Sequence, residues 1–237
     1  MSAVIWHDVE CGSYEADLAL WRELADAGAG PVLELGAGSG RVALHLAGQG
    51  HDVVALERDE ELASELERRA AREGASLEVI RGDAAGFELG RRFAVILAPM
   101  QLIQLLPGQP ARGECLRAIR GHLDHGGRAA LALVGEAADG VAPPELMPDM
   151  RELDGIVYSS RPLRQHNEDG ALLIERLRQR VSPQGELEDE LSEVRLQTLR
   201  AAELECESEA AGLRPLQRRR IEPTPDHLGS DVVILEA

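Results

Sequence analysis

The sequence predicts an α/β fold, a doubly wound sheet of parallel strands carrying an antiparallel β insertion after its fifth strand. Two observations lead there. Apolar runs at residues 31–35, 52–57, 76–81, 93–98 and 128–134 alternate with amphipathic runs at about 40–48, 59–73, 101–106 and 111–123. Strands and helices alternating at this length imply a parallel sheet covered by helices on both faces. Beyond residue 134 the pattern changes to long runs separated by Asn167-Glu168-Asp169-Gly170 and Ser182-Pro183-Gln184-Gly185, turn chemistry that joins antiparallel strands.

Composition sets the bounds. A chain of 237 residues with 44% hydrophobic content suits one domain with a sizeable insertion and a proper core. Its net charge is −17, and all 25 basic residues are arginine. So acidic a surface repels phosphate backbones, which argues against nucleic acid as the main partner. Cys11, Cys115 and Cys206 lie far apart with no CxxC spacing, so neither a zinc cluster nor a disulfide framework is expected, and a reducing compartment fits. No basic segment followed by an apolar run opens the chain, and no stretch approaches the roughly 20 apolar residues that span a bilayer. A soluble cytoplasmic protein without a membrane partner is expected.

Residues 1–30 form a helical approach segment. Within it Tyr14 to Ala25 has apolar positions at 14, 18, 21 and 25, the spacing of an amphipathic helix, which Gly28, Gly30 and Pro31 stop. The short mixed stretch Val4 to Glu10 has no periodicity that assigns it. Val32 to Leu35 then reads as a buried strand running into Gly36-Ala37-Gly38-Ser39-Gly40, and a helix opens at Arg41. Alternating glycines let a ligand approach the backbone, and the first turn of the helix offers N–H groups to it. Ligands of such sheets bind beyond the carboxyl ends of the strands, where this turn lies. Neighbouring strand ends carry Glu57, suited to both hydroxyls of a ribose, Asp83, suited to an exocyclic amine of a purine, and Pro99. Together they outline a pocket for a nucleoside with a polar tail.

Glu34-Leu35-Gly36-Ala37-Gly38-Ser39-Gly40, followed by Glu57 and by Gly82-Asp83-Ala84, resembles the class I S-adenosylmethionine-dependent methyltransferases, whose first motif reads E/D-x-G-x-G-x-G. The resemblance spans roughly residues 14–134, and the tail adds to it. It implies a Rossmann-like seven-stranded methyltransferase sheet, with S-adenosyl-L-methionine as cofactor and S-adenosyl-L-homocysteine as product. By resemblance, Glu34 helps hold the ammonium group of the cofactor, and Gly36, Ala37 and Gly38 pass along its methionine part. Glu57 and Arg58 serve the ribose, Asp83 and Ala84 meet the adenine, and Ala98 and Pro99 lie beside the methionine end. Tyr14 resembles an N-terminal tyrosine that lines the cofactor pocket in related small-molecule enzymes.

The competing reading is a nicotinamide dinucleotide site. That fingerprint, G-x-G-x-x-G, is broken because the third glycine falls at 40, with Arg41 at the next position, and because Glu34 is unhelpful beside a pyrophosphate. A cationic sulfonium suits the acidic surroundings better. Ala98-Pro99-Met100-Gln101 lacks the Asn/Asp-Pro-Pro-aromatic pattern of methyltransferases acting on nucleobases and glutamine side chains, which disfavours those branches. Gln101 and Gln104 are candidate substrate contacts or, alternatively, solvated residues opening a helix.

The core thus comprises 31–134 and 200–237, and 135–199 is an inserted antiparallel substrate cover of the kind that sugar and amino-acid N-methyltransferases place after strand five. Residues 135–155 read as a connecting loop rich in Gly, Pro and acid, including Pro143-Pro144. Ile156 to Gln165, Ala171 to Val181 and Leu187 to Leu199 form a meander, although the glutamates of the third run also suit a helix. Arg176, Arg178 and Arg180 share one strand face, either as a patch for an anionic substrate or as cross-strand partners of Asp189 and Glu193. In the tail, residues 201–213 read as an amphipathic helix ended by Gly212, with Arg200 where the family usually has a capping threonine. Leu213 to Ile221 and Asp231 to Glu236 supply the last two strands, the final one antiparallel.

Methyl transfer from a sulfonium is an in-line displacement, accelerated mainly by holding the nucleophile near the methyl carbon, and a base is needed only if the nucleophile must lose a proton. Tyr14 and His166 are the catalytic candidates, with His7 a further one; the alternatives are a core-packed helix residue for Tyr14 and solvated loop residues for the histidines. No metal-ligand spacing is present, so magnesium-dependent transfer is not supported. The expected function is methylation of a nitrogen or oxygen of a small molecule. A catalytically inactive cofactor-binding scaffold of the same fold is the alternative, and a homodimer is compatible with the sequence.

Overall fold

Val32–Leu35 and Val53–Glu57 are buried throughout and almost wholly apolar, as strands covered on both faces must be. In the computed structural model, which describes residues 2–134, 140, 141, 147–224 and 227–237, they lie side by side as interior strands of the larger of two sheets. In chain order the elements are α1 (Ala3–Cys11), α2 (Leu18–Ala27), β1 (Val32–Leu35), α3 (Arg41–Gly48), β2 (Val53–Glu57), α4 (Glu60–Glu73), β3 (Leu77–Arg81), β4 (Phe93–Ala98), α5 (Leu102–Leu105), α6 (Gly108–His122) and β5 (Leu123–Leu133). There follow β6 (Gly140–Val141), β7 (Asp149–Leu153), β8 (Ile156–Glu168), β9 (Ala171–Val181), β10 (Leu187–Gln197), α7 (Ala201–Ala210), β11 (Arg214–Pro215), β12 (Arg219–Ile221) and β13 (Ser230–Glu236).

The chain divides into two units. The main unit, Tyr14–Gly135 with Leu199–Ala237, is built on the sheet β11-β13-β5-β4-β1-β2-β3. Strands β1 to β5 run parallel and β13 is antiparallel to β5. Leu33 and Leu35 join an apolar cluster with Leu116 and Ile119 of α6 and Leu204 of α7. Val32 on the other face joins Trp21 of α2 and Leu46 of α3. The period of two along the strand thus separates the two helical layers.

The seventh strand is interrupted. β11 and β12 both pair with β13, but Arg214 lies opposite Glu236 while Arg219 lies opposite Val232. One side therefore holds one more residue than the other between these pairs, the mark of a bulge, and a single expected strand becomes two short pieces. At α7, where threonine was expected to be replaced by Arg200, the Glu203 side chain accepts the backbone N–H of Arg200 at 3.0 Å and so closes the helix start.

The insertion unit comprises Met1–Ser13 and Glu136–Thr198, so the approach segment expected over 1–30 is divided between the two units. Its sheet runs β10-β9-β8-β6, with β7 also on β8. The ambiguous third run is a strand, because β10 pairs with β9 from Leu187 opposite Val181 to Gln197 opposite Ala171. Of the expected loop at 135–155, residues 149–153 form β7, and 135–139 and 142–146, with Pro143-Pro144, lie outside the described residues. The unassigned stretch near the N-terminus is α1, whose Trp6 and Val9 pack on Tyr158 of β8.

The three arginines of β9 do share a face, but their partners differ from the expected ones. Asp189 stands opposite Gln179, and Glu193 opposite Glu175, so strand parity turns both away from the arginines. Arg180 pairs instead with Glu188, Arg178 forks onto Glu10 of α1 at 2.7 and 2.9 Å, and Arg176 meets Asp149 at 2.5 Å and Ser160 Oγ at 2.8 Å. Burial pushes the Glu10 carboxyl up, but hydrogen bonds from Arg178 and Ser160 and the charges of Arg176 and Arg178 outweigh it and hold the group below the usual 4.5. A carboxyl depressed on folding contributes stability above its unfolded value and loses it as pH falls through the folded one. Urea unfolding should therefore show the insertion unit weakening below pH 4.5 in the wild type, with Glu10→Gln already weakened at neutral pH and flatter across the acid range.

Candidate active site

The glycine turn is tied to the neighbouring strand rather than left open. The Gly36 and Ala37 N–H groups donate to the Leu56 carbonyl at 2.8 and 3.1 Å, and the Gly38 N–H donates to Glu57 Oε2 at 2.8 Å. All three glycines have left-handed φ, at 64° for Gly36, 58° for Gly38 and 99° for Gly40. A Cβ on Gly40 would come 2.1 Å from Leu66 Cδ1. Both backbone angle and space call for glycine there. Glu57, buried at the end of β2, also accepts the Asp59 N–H on Oε1 at 2.8 Å. Each of its oxygens has one protein donor and retains a lone pair for a hydroxyl.

Glu34 is different. It lies on β1 beneath α3, only 3% exposed, and its Oε2 has no hydrogen-bond partner. Its carboxyl is raised to about 8: burial pushes it up most, Arg41 and a hydrogen bond from the Ala43 N–H pull it down, and the charges of Asp17 and Glu57 add to the rise. Ala43 belongs to the first turn of α3, so one of the helix N–H groups expected to face a ligand is turned onto an internal acid.

The other expected residues fall around these two. Asp83 follows β3, exposed, with Oδ1 accepting the Ala85 N–H at 2.9 Å, and Ala84 is buried beside it. Arg58 is exposed next to Glu57. Ala98 and Pro99 are buried at the end of β4, and Met100 beyond them adopts a left-handed φ of 56°, which costs a bulky residue about 1–2 kcal/mol. As β4, β1, β2 and β3 are adjacent, Pro99, Glu34, Glu57 and Asp83 stand at or near the carboxyl ends of four neighbouring parallel strands.

Gln101 begins α5, its carbonyl accepting the Gln104 and Leu105 N–H groups. Gln104 is neither solvated nor presented to a ligand as expected: its carboxamide donates to the Val134 carbonyl at 3.1 Å and accepts the Val134 N–H at 2.8 Å, fastening the end of β5. Tyr14 is buried against Arg41, whose guanidinium carbon lies 5.2 Å from the ring centre, and against His227, with ring centres 4.6 Å apart. Burial raises its hydroxyl pKa, Asp17 adds to this, and Arg41 opposes it, so it is a neutral phenol at pH 7. His166 lies on β8 of the insertion unit, with Nδ1 buried and unpartnered and Nε2 3.7 Å from Glu168. That unit also holds a cavity of about 390 Å³ whose polar lining includes His7, Glu10 and Arg178. His122, flanking β5, is structural: Nε2 accepts the Leu89 N–H at 2.9 Å. Among the described residues no group of three His, Cys, Asp or Glu side chains could hold a metal ion, and no helix is long and apolar enough to cross a membrane.

Residues 32–127, from β1 through the start of β5, match the methyltransferase domain family. No curated protein matches its sequence. Among solved structures it is similar to the CcbJ methyltransferase from Streptomyces caelestis, at 25% identity over 95% of this chain and 91% of that one, with a TM-score of 0.73. The sugar N-methyltransferase KedS8 from a Streptoalloteichus species shares 20% identity over 99% and 92% of the two chains, with a TM-score of 0.73. CalS10, an amino pentose methyltransferase from Micromonospora echinaspora, shares 18% over 97% and 91%, with a TM-score of 0.71. The last two likenesses establish the Rossmann-like methyltransferase fold.

What sequence reading missed in this domain is Asp17. An aspartate at the start of α2, four residues before a fully buried Trp21, accepts the indole N–H at 2.8 Å and pairs with Arg41. Its one sequence signal is the Asp-x-x-x-Trp spacing, which puts both side chains on one helix face. The Glu34 chemistry gives a stability test. Its folded pKa lies above the ordinary 4.5, so the folded protein keeps a proton that the unfolded chain has released between pH 4.5 and about 8. The stability of the ligand-free protein should fall as pH rises through that window and level off above it. Glu34→Gln should remove this slope, as urea unfolding midpoints across the window would record.

Proposed function

We propose that the protein transfers the methyl group of S-adenosylmethionine to a nitrogen or oxygen of a small molecule, releasing S-adenosylhomocysteine. The observation that carries this is the buried Glu34 with its unpartnered Oε2 at the glycine turn. A buried acceptor without a partner is costly, and a cationic ammonium is the donor that would relieve it most. A pyrophosphate brings no donor to that oxygen and no positive charge to ionise the carboxyl, so the same atom suits a cationic ammonium better than a dinucleotide.

Glu57 and Asp83 suit the rest of a nucleoside. Glu57 is fixed by the Gly38 and Asp59 N–H groups, so a ribose would meet a carboxylate already oriented. Asp83, oriented by the Ala85 N–H, offers its other oxygen to an adenine amine, with buried Ala84 as an apolar neighbour. Gly36, Ala37 and Gly38 line the methionine part, Arg58 borders the ribose, and Ala98 and Pro99 close the other side. When bound, the sulfonium supplies a methyl carbon activated for displacement.

The protein then has mainly to hold an acceptor in line with it. Tyr14, a neutral phenol at pH 7, serves as a hydrogen-bonding wall rather than as a base. His166 is the candidate acceptor of a proton if the nucleophile must lose one, and Gln101 a candidate substrate contact. An amine acceptor is favoured, because two similar proteins are named as a sugar N-methyltransferase and an amino pentose methyltransferase.

The test is transfer of labelled methyl from S-adenosylmethionine to a panel of amines, phenols and sugars, with calorimetric titration of the cofactor alongside. Wild type should bind the cofactor and methylate a member of the amine set, and Glu57→Ala should weaken cofactor binding by about tenfold or more, as loss of charge-assisted hydrogen bonds does. Absence of cofactor binding by wild type would sink the proposal, and binding without turnover on the whole panel would favour a scaffold.

A further inference from the structure

Arg41 is the first residue of α3, directly after Gly40, and its side chain reaches the segment that precedes α2. Nη1 donates to the Tyr14 carbonyl at 2.8 Å and to Asp17 Oδ1 at 2.5 Å, while Nη2 donates to Asp17 Oδ2 at 2.7 Å. Asp17 is 1% exposed, and its Oδ2 also accepts the Trp21 indole N–H. The same guanidinium lies 5.2 Å from the Tyr14 ring centre, within cation–π range. A single cation thus holds Tyr14 by its carbonyl and by its ring, and His227 stacks on that ring at 4.6 Å. Tyr14 and Ala37 of the glycine turn belong to one apolar cluster.

This arrangement asks for arginine in particular. A planar fork can meet both oxygens of Asp17 and still spare an N–H for a carbonyl, whereas an ammonium gathers its three N–H groups on one nitrogen and cannot reproduce that two-pronged, coplanar reach. The pair is also electrically balanced: Arg41 pulls the Glu34 carboxyl toward ionisation and Asp17 pushes it away.

We infer that Arg41, clamped by Asp17, is the positioning residue of this site, fixing the ring of Tyr14 against the glycine turn so that both present one preformed surface to the cofactor. The placement of Tyr14 rests on the contacts above; its consequence for the cofactor rests on the proposed function. The two parts separate by experiment.

The chain has only two tyrosines, Tyr14 and Tyr158, and Tyr158 lies in the insertion unit. Labelling with 3-fluorotyrosine gives two ¹⁹F resonances, assigned with Tyr14→Phe. In Arg41→Lys, which keeps the charge but not the fork, the Tyr14 resonance should shift and broaden while the Tyr158 resonance stays in place. Asp17→Asn, which keeps an acceptor for Trp21, should do the same and serves if the lysine variant fails to fold. An unmoved Tyr14 resonance in a folded variant overturns the inference.

For the cofactor half, S-adenosylmethionine is titrated calorimetrically into wild type, Arg41→Lys, Tyr14→Ala and the double variant. Each single change should weaken binding by about tenfold, and the double variant should bind no more weakly than Tyr14→Ala, because contacting residues that act through one another are not additive. Additive losses would show that Arg41 does not act through Tyr14. If wild type takes up no cofactor while the Tyr14 resonance still shifts in Arg41→Lys, the proposed function fails and the positioning of Tyr14 stands.

Discussion

A carboxyl group buried at the end of a central strand is the constraint on which the rest of the main unit depends. Glu34 occupies a position where the period-two pattern of β1 would otherwise place an apolar residue, between the sheet and α3. Its surroundings compensate only in part: the first turn of α3 gives one N–H through Ala43, Arg41 supplies charge already shared with Asp17, and Oε2 receives nothing. A fully apolar core would be more stable. Such local cost is expected where a ligand completes the site.

The geometry around Glu34 follows from how parallel strands end. Four adjacent strands stop at the same edge, and after β1, β2 and β4 the chain must turn toward a helix. After β1 the turn is made by three left-handed glycines, and after β4 by Met100 in the same region of φ at some cost. After β2 the turn carries Glu57, which holds Gly38 across the gap. The two acids at this turn consequently do different work: Glu57 is bound on both oxygens and braces the turn, whereas Glu34 is left with an acceptor to spare. The Asp17–Arg41 clamp extends the same rigidity to Tyr14.

Much of this was legible in the sequence, for stateable reasons. Strands buried on both faces have apolar runs that no surface segment imitates, so β1, β2 and β4 were readable to within a residue or so. The spacing of Glu34, the glycines, Glu57 and Asp83 is set by strand and turn lengths, and one sequence carries it whole. Contacts that depend on facing another element were not legible. Arg178 finds Glu10 because α1 lies on the β9 face, and Gln104 is drawn to Val134 because the end of β5 passes beside α5. The expected pairing of β9 arginines with Asp189 and Glu193 failed for a simpler reason: it named the neighbouring strand without fixing its register, and one residue of slip reverses every side chain. Arg41 was read only as a departure from another fingerprint, since nothing local reveals that its partner lies 24 residues earlier.

We propose that the buried Glu34 carboxyl, one oxygen of which has no partner, is completed by the cationic end of the cofactor. Calorimetric titration of S-adenosylmethionine at pH 7 in buffers of different ionisation enthalpy measures the protons exchanged on binding. With the ligand-free carboxyl near 8 and an ammonium brought to its open oxygen, wild type should release about one proton per cofactor bound and Glu34→Gln none. Binding with no proton release in wild type, or with the same release in both proteins, would contradict the account.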